Sequence, residues 1–251
     1  MHALVTMTWT EVRALAAGRA VAILPTAAIE AHGPHLPLGT DIVIAEAMAR
    51  AGARRLSARG IDAIVLPALP VSPAPFAAGF PGTIHTPAEA TTMMVAGIAR
   101  SLADHGIRIT AIANSHHDPA HIDALRAAMV SVSKDGRAQL VFPDLTKRRW
   151  ATKLTDEFKS GACHGGRYEG SIVLAEHPEQ VRTEVMRQLQ PNPRSLLDAM
   201  RTGHETFVQA GGVDGFFGYP AEATAEEGRD TIETLGEILE EAVVEALEVQ
   251  R

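Results

Sequence analysis

Four short apolar runs divide the first part of the chain, at residues 20–24, 63–66, 107–113 and 139–142. Each is aliphatic or β-branched and is followed at once by Pro or Asn, as strands buried on both faces of a parallel sheet tend to be. Between them the apolar spacing turns helical. Residues 40–56 place Ile42, Ile44, Ala45, Met48 and Ala49 on one side, the stripe of a core-facing helix. Thr86 and Pro87 predict another helix start, with threonine as N-cap and proline at the first helical position. A third helix is expected over 120–132. A long amphipathic one is expected over 221–249, with Gly228 and Gly236 as candidate breaks.

Strand and helix alternate, so the expected fold is α/β: three layers, α/β/α, around a mostly parallel sheet. With 251 residues, no internal repeat and no shift in composition, the chain reads as a single domain over 1–251. Its least regular stretches, 67–86 and 160–168, are long enough to be functional loops.

Charge and cysteine content narrow the partners. A formal charge of −7 gives no footprint for nucleic acid or an anionic membrane, and the one basic run, Lys147 to Arg149, reads as a solvated turn. No window approaches 18 consecutive apolar residues, so no membrane helix is expected. Cys163 is the single cysteine, which excludes an intrachain disulfide and fits a reducing compartment. The first residues lack a basic segment followed by an apolar one. A cytoplasmic protein acting on a small molecule is the simplest expectation.

The candidate chemistry begins six residues after Leu24. Glu30, His32, His35 and Asp41 lie within twelve residues, in a loop whose direction is set by Gly33, Pro34 and Pro37. Open α/β sheets build their sites just beyond the carboxyl ends of strands, and this donor set suits zinc, manganese or a similar divalent ion. A second cluster, Asn114 to Asp118 with His116 and His117, follows the third strand. A third, His164 to Ser171 with Glu169, precedes an apolar segment that would place Glu169 in a helix's first turn. Three separate loops thus bring histidine and carboxylate toward one face of one sheet.

These segments resemble the creatininase family. Residues 30–41 are similar to its Glu-x-His-Gly-x-His signature ending in Leu-x-Thr-Asp. Residues 79–83 match a Phe-Pro-Gly-Thr element, 164–171 a His-Ala-Gly-x-x-Glu-Thr-Ser motif, and 218–228 the closing Gly-x-Pro-x-x-Ala-Thr-x-Glu-x-Gly. The resemblance implies two divalent ions per chain, zinc or manganese with iron as a further option, bridged by Asp41. Glu30 and His116 would hold one and His32 the other, with Glu169 or Asp118 completing the second site. It implies His164, with Glu169, as the catalytic groups and His117, Ser72, Cys163 and Tyr168 as substrate-binding candidates. His35 reads as a structural group beside the site, and Trp150 as either a pocket cover or a packing residue. A homo-oligomer, often a hexamer, is also implied.

The activity implied is hydrolysis of a C–N bond in a small amide by a metal-activated water. The family spans cyclic-amide opening, deformylation of a formylaminopyrimidine and peptide trimming in mycofactocin maturation. Departures cluster around the expected substrate pocket: Ser115, His117 and Asp118 replace the three glycines of Asn-Gly-His-Gly-Gly-Asn and Pro119 its final asparagine, Cys163 replaces an acidic contact, and Gly170 replaces a threonine. Creatinine is therefore not the expected substrate. Two other functions stand beside hydrolysis: a metal-dependent isomerase or C–C cleaving enzyme on a polyhydroxylated substrate, and a non-catalytic metal-binding member.

Overall fold

A computed structural model of the chain describes residues 2–18 and 20–249. Five strands, β1 (His2–Ala3), β2 (Val21–Thr26), β3 (Ala63–Val65), β4 (Ile109–Asn114) and β5 (Gln139–Val141), form one sheet in the order β1-β3-β2-β4-β5. Every neighbouring pair is parallel. The strands are short and buried throughout at the centre, because helices cover both faces. Along β2, Val21 and Ile23 enter one core while Ala22 and Leu24 enter the other, the period-2 alternation of a pleated strand.

Helices α1 (Trp9–Ala17), α3 (Ala88–Asp104) and α4 (Pro119–Ser133) cover the second face, where Val95, Ala99, Leu125, Ala128 and Val132 meet Leu24, Ile64 and Ile112. Helices α2 (Thr40–Ala58), α7 (Arg167–Glu176) and α10 (Ala225–Val249) cover the first, through Ile44, Met48, Leu56, Ile172, Leu235, Ile238, Leu239 and Val243. Each such large aliphatic side chain contributes roughly 1.5–3 kcal/mol when taken from water. Shorter helices, α5 (Arg148–Ala151), α6 (Asp156–Ser160), α8 (Thr183–Gln188) and α9 (Leu196–Arg201), lie in the connections. Among the described residues, no helix is long and apolar enough to cross a membrane.

The three-layer expectation holds, with corrections in detail. Pro87, not Thr86, is the residue before the first turn of α3, and no side chain caps it; the Thr86 amide donates to the Ser72 carbonyl, 3.3 Å away, which keeps that segment extended. The C-terminal helix begins at Ala225, behind a 3-10 turn over Pro220–Glu222, and runs unbroken through both glycines. Those glycines are there for contact. A Cβ on Gly236 would lie 2.6 Å from the Ala51 Cβ, and one on Gly228 would fall on the Ser171 carbonyl oxygen. Gly228→Ala should therefore destabilise by about 1–3 kcal/mol, the usual cost of overpacking. A lowered urea midpoint at unchanged slope would register it; an unchanged midpoint would mean that α10 and α7 can separate freely.

The apolar pattern alone misses β1 and α1. The first is two residues long, and the second is announced only by a capping box in which Thr8 and Glu11 bond to each other's backbone amides.

Candidate metal centre

The loop after β2 is shaped by its own backbone. The Glu30 amide donates to the Leu38 carbonyl at 3.1 Å, and the Gly33 amide, at φ +71°, donates to Gly215 at 2.8 Å. The 79–83 element braces it from outside: Thr83 Oγ1 accepts from the Ala31 amide at 3.2 Å, and the Ile84 amide donates to Ile29 at 2.9 Å. Asp41 then falls in the first turn of α2, where the helix dipole favours a carboxylate. At the end of β4, Asn114 accepts a hydrogen bond from Thr26 Oγ1 at 3.0 Å, so the tips of β2 and β4 stay together.

This brings Glu30, His32, Asp41, His116 and Glu169 into one buried cluster. His116 Nδ1 lies 3.1 Å from Glu30 Oε1 and 3.1 Å from Asp41 Oδ2. His32 Nε2 lies 3.4 Å from Asp41 Oδ1 and 3.5 Å from Glu169 Oε2. The other nitrogen of each ring faces a backbone carbonyl: His116 Nε2 is 2.8 Å from Pro73 O, and His32 Nδ1 is 3.1 Å from Glu30 O. With those nitrogens donating, the inner ones carry lone pairs pointed at carboxylate lone pairs. Only a proton or a cation reconciles that geometry. Fixing the outer nitrogen by a carbonyl is also how metal-binding imidazoles are held.

Among the described residues, donor atoms close enough to share an ion form three groups: Glu30, Asp41 and His116; His32, Asp41 and Glu169; and Glu30, His32 and His164. Asp41 belongs to two of them and turns a different oxygen to each histidine. Glu30 Oε2, His32 Nε2 and Asp41 Oδ2 are buried without a hydrogen-bond partner, an arrangement costing about 1–3 kcal/mol per group unless something satisfies it. The donor set fits divalent ions.

With protons as the only compensation, the titrations are strongly displaced. Burial pulls His32 down, but the Asp41, Glu169 and Glu30 carboxylates outweigh it and hold the ring up at about 10. His116 is likewise held well above its ordinary value, against burial, by Glu30 and Asp41. Glu169 is pushed up to about 8 by burial and by the charges of Asp41 and Glu30.

The creatininase profile, described as creatinine amidohydrolase, matches residues 5–243. The chain belongs to the creatininase family. At 33% identity over 213 residues it is similar to a mycofactocin precursor peptide peptidase of Mycobacterium tuberculosis, covering 82% of this chain and 78% of the relative. At 31% over 193 residues it is similar to a creatinine amidohydrolase of Pseudomonas putida, covering 70% and 72%. A crystal structure of creatininase has the same fold, with a TM-score of 0.75 at 23% identity and 97% of each chain covered. Solved creatininases of this fold include a manganese form and a Zn–Zn form.

In this creatininase-family chain, His164 and Glu169 sit on the turn into α7. The Gly165 amide donates to Glu169 Oε2 at 2.6 Å. His164 Nε2 faces the Ala31 carbonyl at 2.8 Å, which leaves Nδ1 toward Glu30 Oε1 at 3.8 Å. Its ring stacks on His32 at 4.4 Å and lies against Phe207 at 4.3 Å. Burial, reinforced by His32, lowers it to about 4.

Asp118 stands outside all three donor groups. Its carboxylate caps α4, accepting from the Ala120 amide at 2.9 Å and the Phe76 amide at 3.4 Å, and burial raises its pKa.

A cavity of about 190 Å³ opens from the cluster. Its wall includes His117, Asp118, Cys163 and His164, and then turns apolar through Phe76, Leu145, Phe158, Leu196 and Phe207, with Lys159 and Arg201 also on its lining. The His117 Nε2 atom is buried without a partner, and its ring meets Phe158 edge-on at 5.5 Å. The Cys163 thiol is held well above its ordinary value by burial and by Glu169 and Glu157, so it is no ready nucleophile.

Two residues expected to face substrate lie away from the cavity. Ser72 is buried and donates its hydroxyl to the Ala27 carbonyl at 2.9 Å, and Tyr168 is buried in the core behind Phe158, 5.1 Å between rings; neither lines the cavity. Trp150 packs in the first core with Arg149 over its ring at 4.1 Å. His35 is fully buried, edge-on to Phe216 at 6.0 Å, and belongs to no donor group. Phe76, Phe158, Phe207, Lys159 and Arg201 carry no motif, and nothing in their sequence context marks them as cavity residues.

Proposed function

We propose that this chain hydrolyses a C–N bond in a small amide with two divalent ions, zinc or manganese. The observation that carries the proposal is Asp41, one carboxylate shared between two donor groups by its two oxygens. Glu30, Asp41 and His116 would hold one ion, and His32, Asp41 and Glu169 the other. Bound there, the pair supplies Lewis acidity, polarising a carbonyl oxygen and lowering the pKa of a water towards about 7.

The chain's own groups do the rest. His164 Nδ1 is the free acceptor facing the cluster, since Nε2–H is committed to Ala31; it takes a proton from the attacking water and returns it to the leaving nitrogen. The stacked His32 ring and the tilted Phe207 ring hold it from both sides. The apolar wall excludes water and seats the part of the substrate beyond the scissile bond. Creatinine, a small polar ring, would leave that wall unmatched. A peptide-like amide with an apolar side chain fits it, and the Lys159 and Arg201 cations suit an anionic end.

Metal analysis separates the competing ligands. Wild type should carry two ions per chain, Glu169→Gln one, and Asp118→Asn two; loss of an ion from Asp118→Asn but not from Glu169→Gln would reverse the assignment. Amine release from a panel of peptide-like, formyl and cyclic amides then tests the reaction. Turnover of creatinine alone would refute the reading of the wall. Turnover without amine release would point to the isomerase or C–C cleaving alternative.

A further inference from the structure

Glu169 occupies the third position of α7, yet the residue before that helix, Gly166, has no side chain with which to cap it. The cap comes from another element. Glu157, on α6, is 3% exposed, and its Oε1 accepts from the Arg167 amide at 2.9 Å and the Tyr219 amide at 2.7 Å. Its Oε2 accepts from the Tyr168 amide at 2.5 Å. A buried carboxylate thus satisfies the first two free amides of α7 and one from the 216–219 segment. Unpaired, those amides would be costly.

Local sequence is arranged to admit this carboxylate. Gly166 and Gly218 flank it, and a Cβ on Gly166 would lie 2.7 Å from Glu157 Oε1; Gly218, at φ +88°, leaves still less room. The 216–219 segment is in turn bonded to the catalytic turn, since the Phe217 amide donates to the His164 carbonyl at 2.7 Å. The residues after Glu157 on α6, Phe158 and Lys159, line the cavity. One side chain therefore ties a cavity wall, the turn carrying His164 and the helix carrying Glu169 into a single frame.

We propose that Glu157 is a positioning residue for the second metal ion, holding Glu169 and His164 in register with His32 and Asp41. The inference rests on the two-ion reading above. Charge and shape both matter: a carboxamide has one acceptor oxygen where three amides need two, and its NH₂ would face an N–H. Glu30, Asp41 and His116 are carried on β2, α2 and β4 or the loops after them, and the Glu30 loop meets this frame only at its edge, through the Gly33–Gly215 and His164–Ala31 contacts.

The test is zinc titration of the full chain, read by calorimetry and by elemental analysis after dialysis, on wild type and Glu157→Gln. The first ion should bind both proteins alike, while the second should bind the variant about 10–100-fold more weakly, the usual effect of removing a group that orients a ligand. Unchanged affinity for both ions, or equal loss of both, would overturn the proposal; equal loss is what general loosening would produce. Should Glu157→Gln give no cooperative unfolding transition, Glu157→Asp keeps the charge and both acceptor oxygens but withdraws them by one methylene, and must show the same selective loss in milder form. Fewer than two ions on wild type would instead refute the two-ion reading, leaving the two failures distinct.

Discussion

Asp41→Ala should retain neither ion and should lose more activity than any other single change in the cluster. Its two oxygens face His32 at 3.4 Å and His116 at 3.1 Å, and it belongs to both donor groups. Removing Glu169 or His116 strips one group; removing Asp41 leaves each group two donors. The loss should exceed the roughly 10²–10³-fold typical of deleting one transition-state hydrogen-bond donor. Asp41→Asn separates charge from shape, since the amide keeps the size of the carboxylate and cannot bridge two cations through anionic oxygens. Elemental analysis and amine-release kinetics on both variants check the expectation, with circular dichroism confirming the fold. Two ions retained on Asp41→Ala would end the case for a bridging carboxylate.

Removing the ions should lower thermal stability markedly. A ligand present at 100 times its Kd stabilises the native state by about 2.7 kcal/mol, so two such ions contribute about 5 kcal/mol. For a domain of this size each kcal/mol moves Tm by about 2–4 °C, so a chelator should lower Tm by roughly 10–20 °C. The effect should depend on pH in a defined direction. Without ions, His32 titrates at about 10 and Glu169 at about 8, and His116 lies well above its ordinary value. Below about pH 8 His32 and Glu169 hold protons that an ion must displace, and the raised His116 acts in the same direction. Affinity therefore falls as pH falls, rises as pH approaches about 10, and binding releases protons to the buffer. Calorimetry in buffers of different ionisation enthalpy would count them. A Tm indifferent to chelator, with no proton release, would mean that protons alone neutralise the cluster.

The sequence by itself determined the layer order, the positions of four of the five strands, β2 to β5, to within about two residues, and the three loops that carry the donors. These are local properties. Alternation and helical spacing report which side of a segment is buried, and the punctuating Pro and Asn residues mark strand ends where a site can form. The family resemblance added the expectation that Asp41 is shared between two ions. Tertiary structure decided what depends on distant residues meeting. Gly228 and Gly236 look like helix breakers along the chain and are contact points against Ser171 and Ala51 in space. Asp118 and Glu169 compete as sequence candidates for the second site. Folding commits Asp118 to the Ala120 amide of α4 and the Phe76 amide and turns Glu169 toward His32. Glu157 has no motif at all, because its three amide partners lie 10, 11 and 62 residues away. The apolar wall is equally silent in sequence: Phe76, Phe158, Phe207 and Arg201 come from four separate segments. A one-dimensional pattern records which residues can be buried or charged, and only packing decides which of them meet.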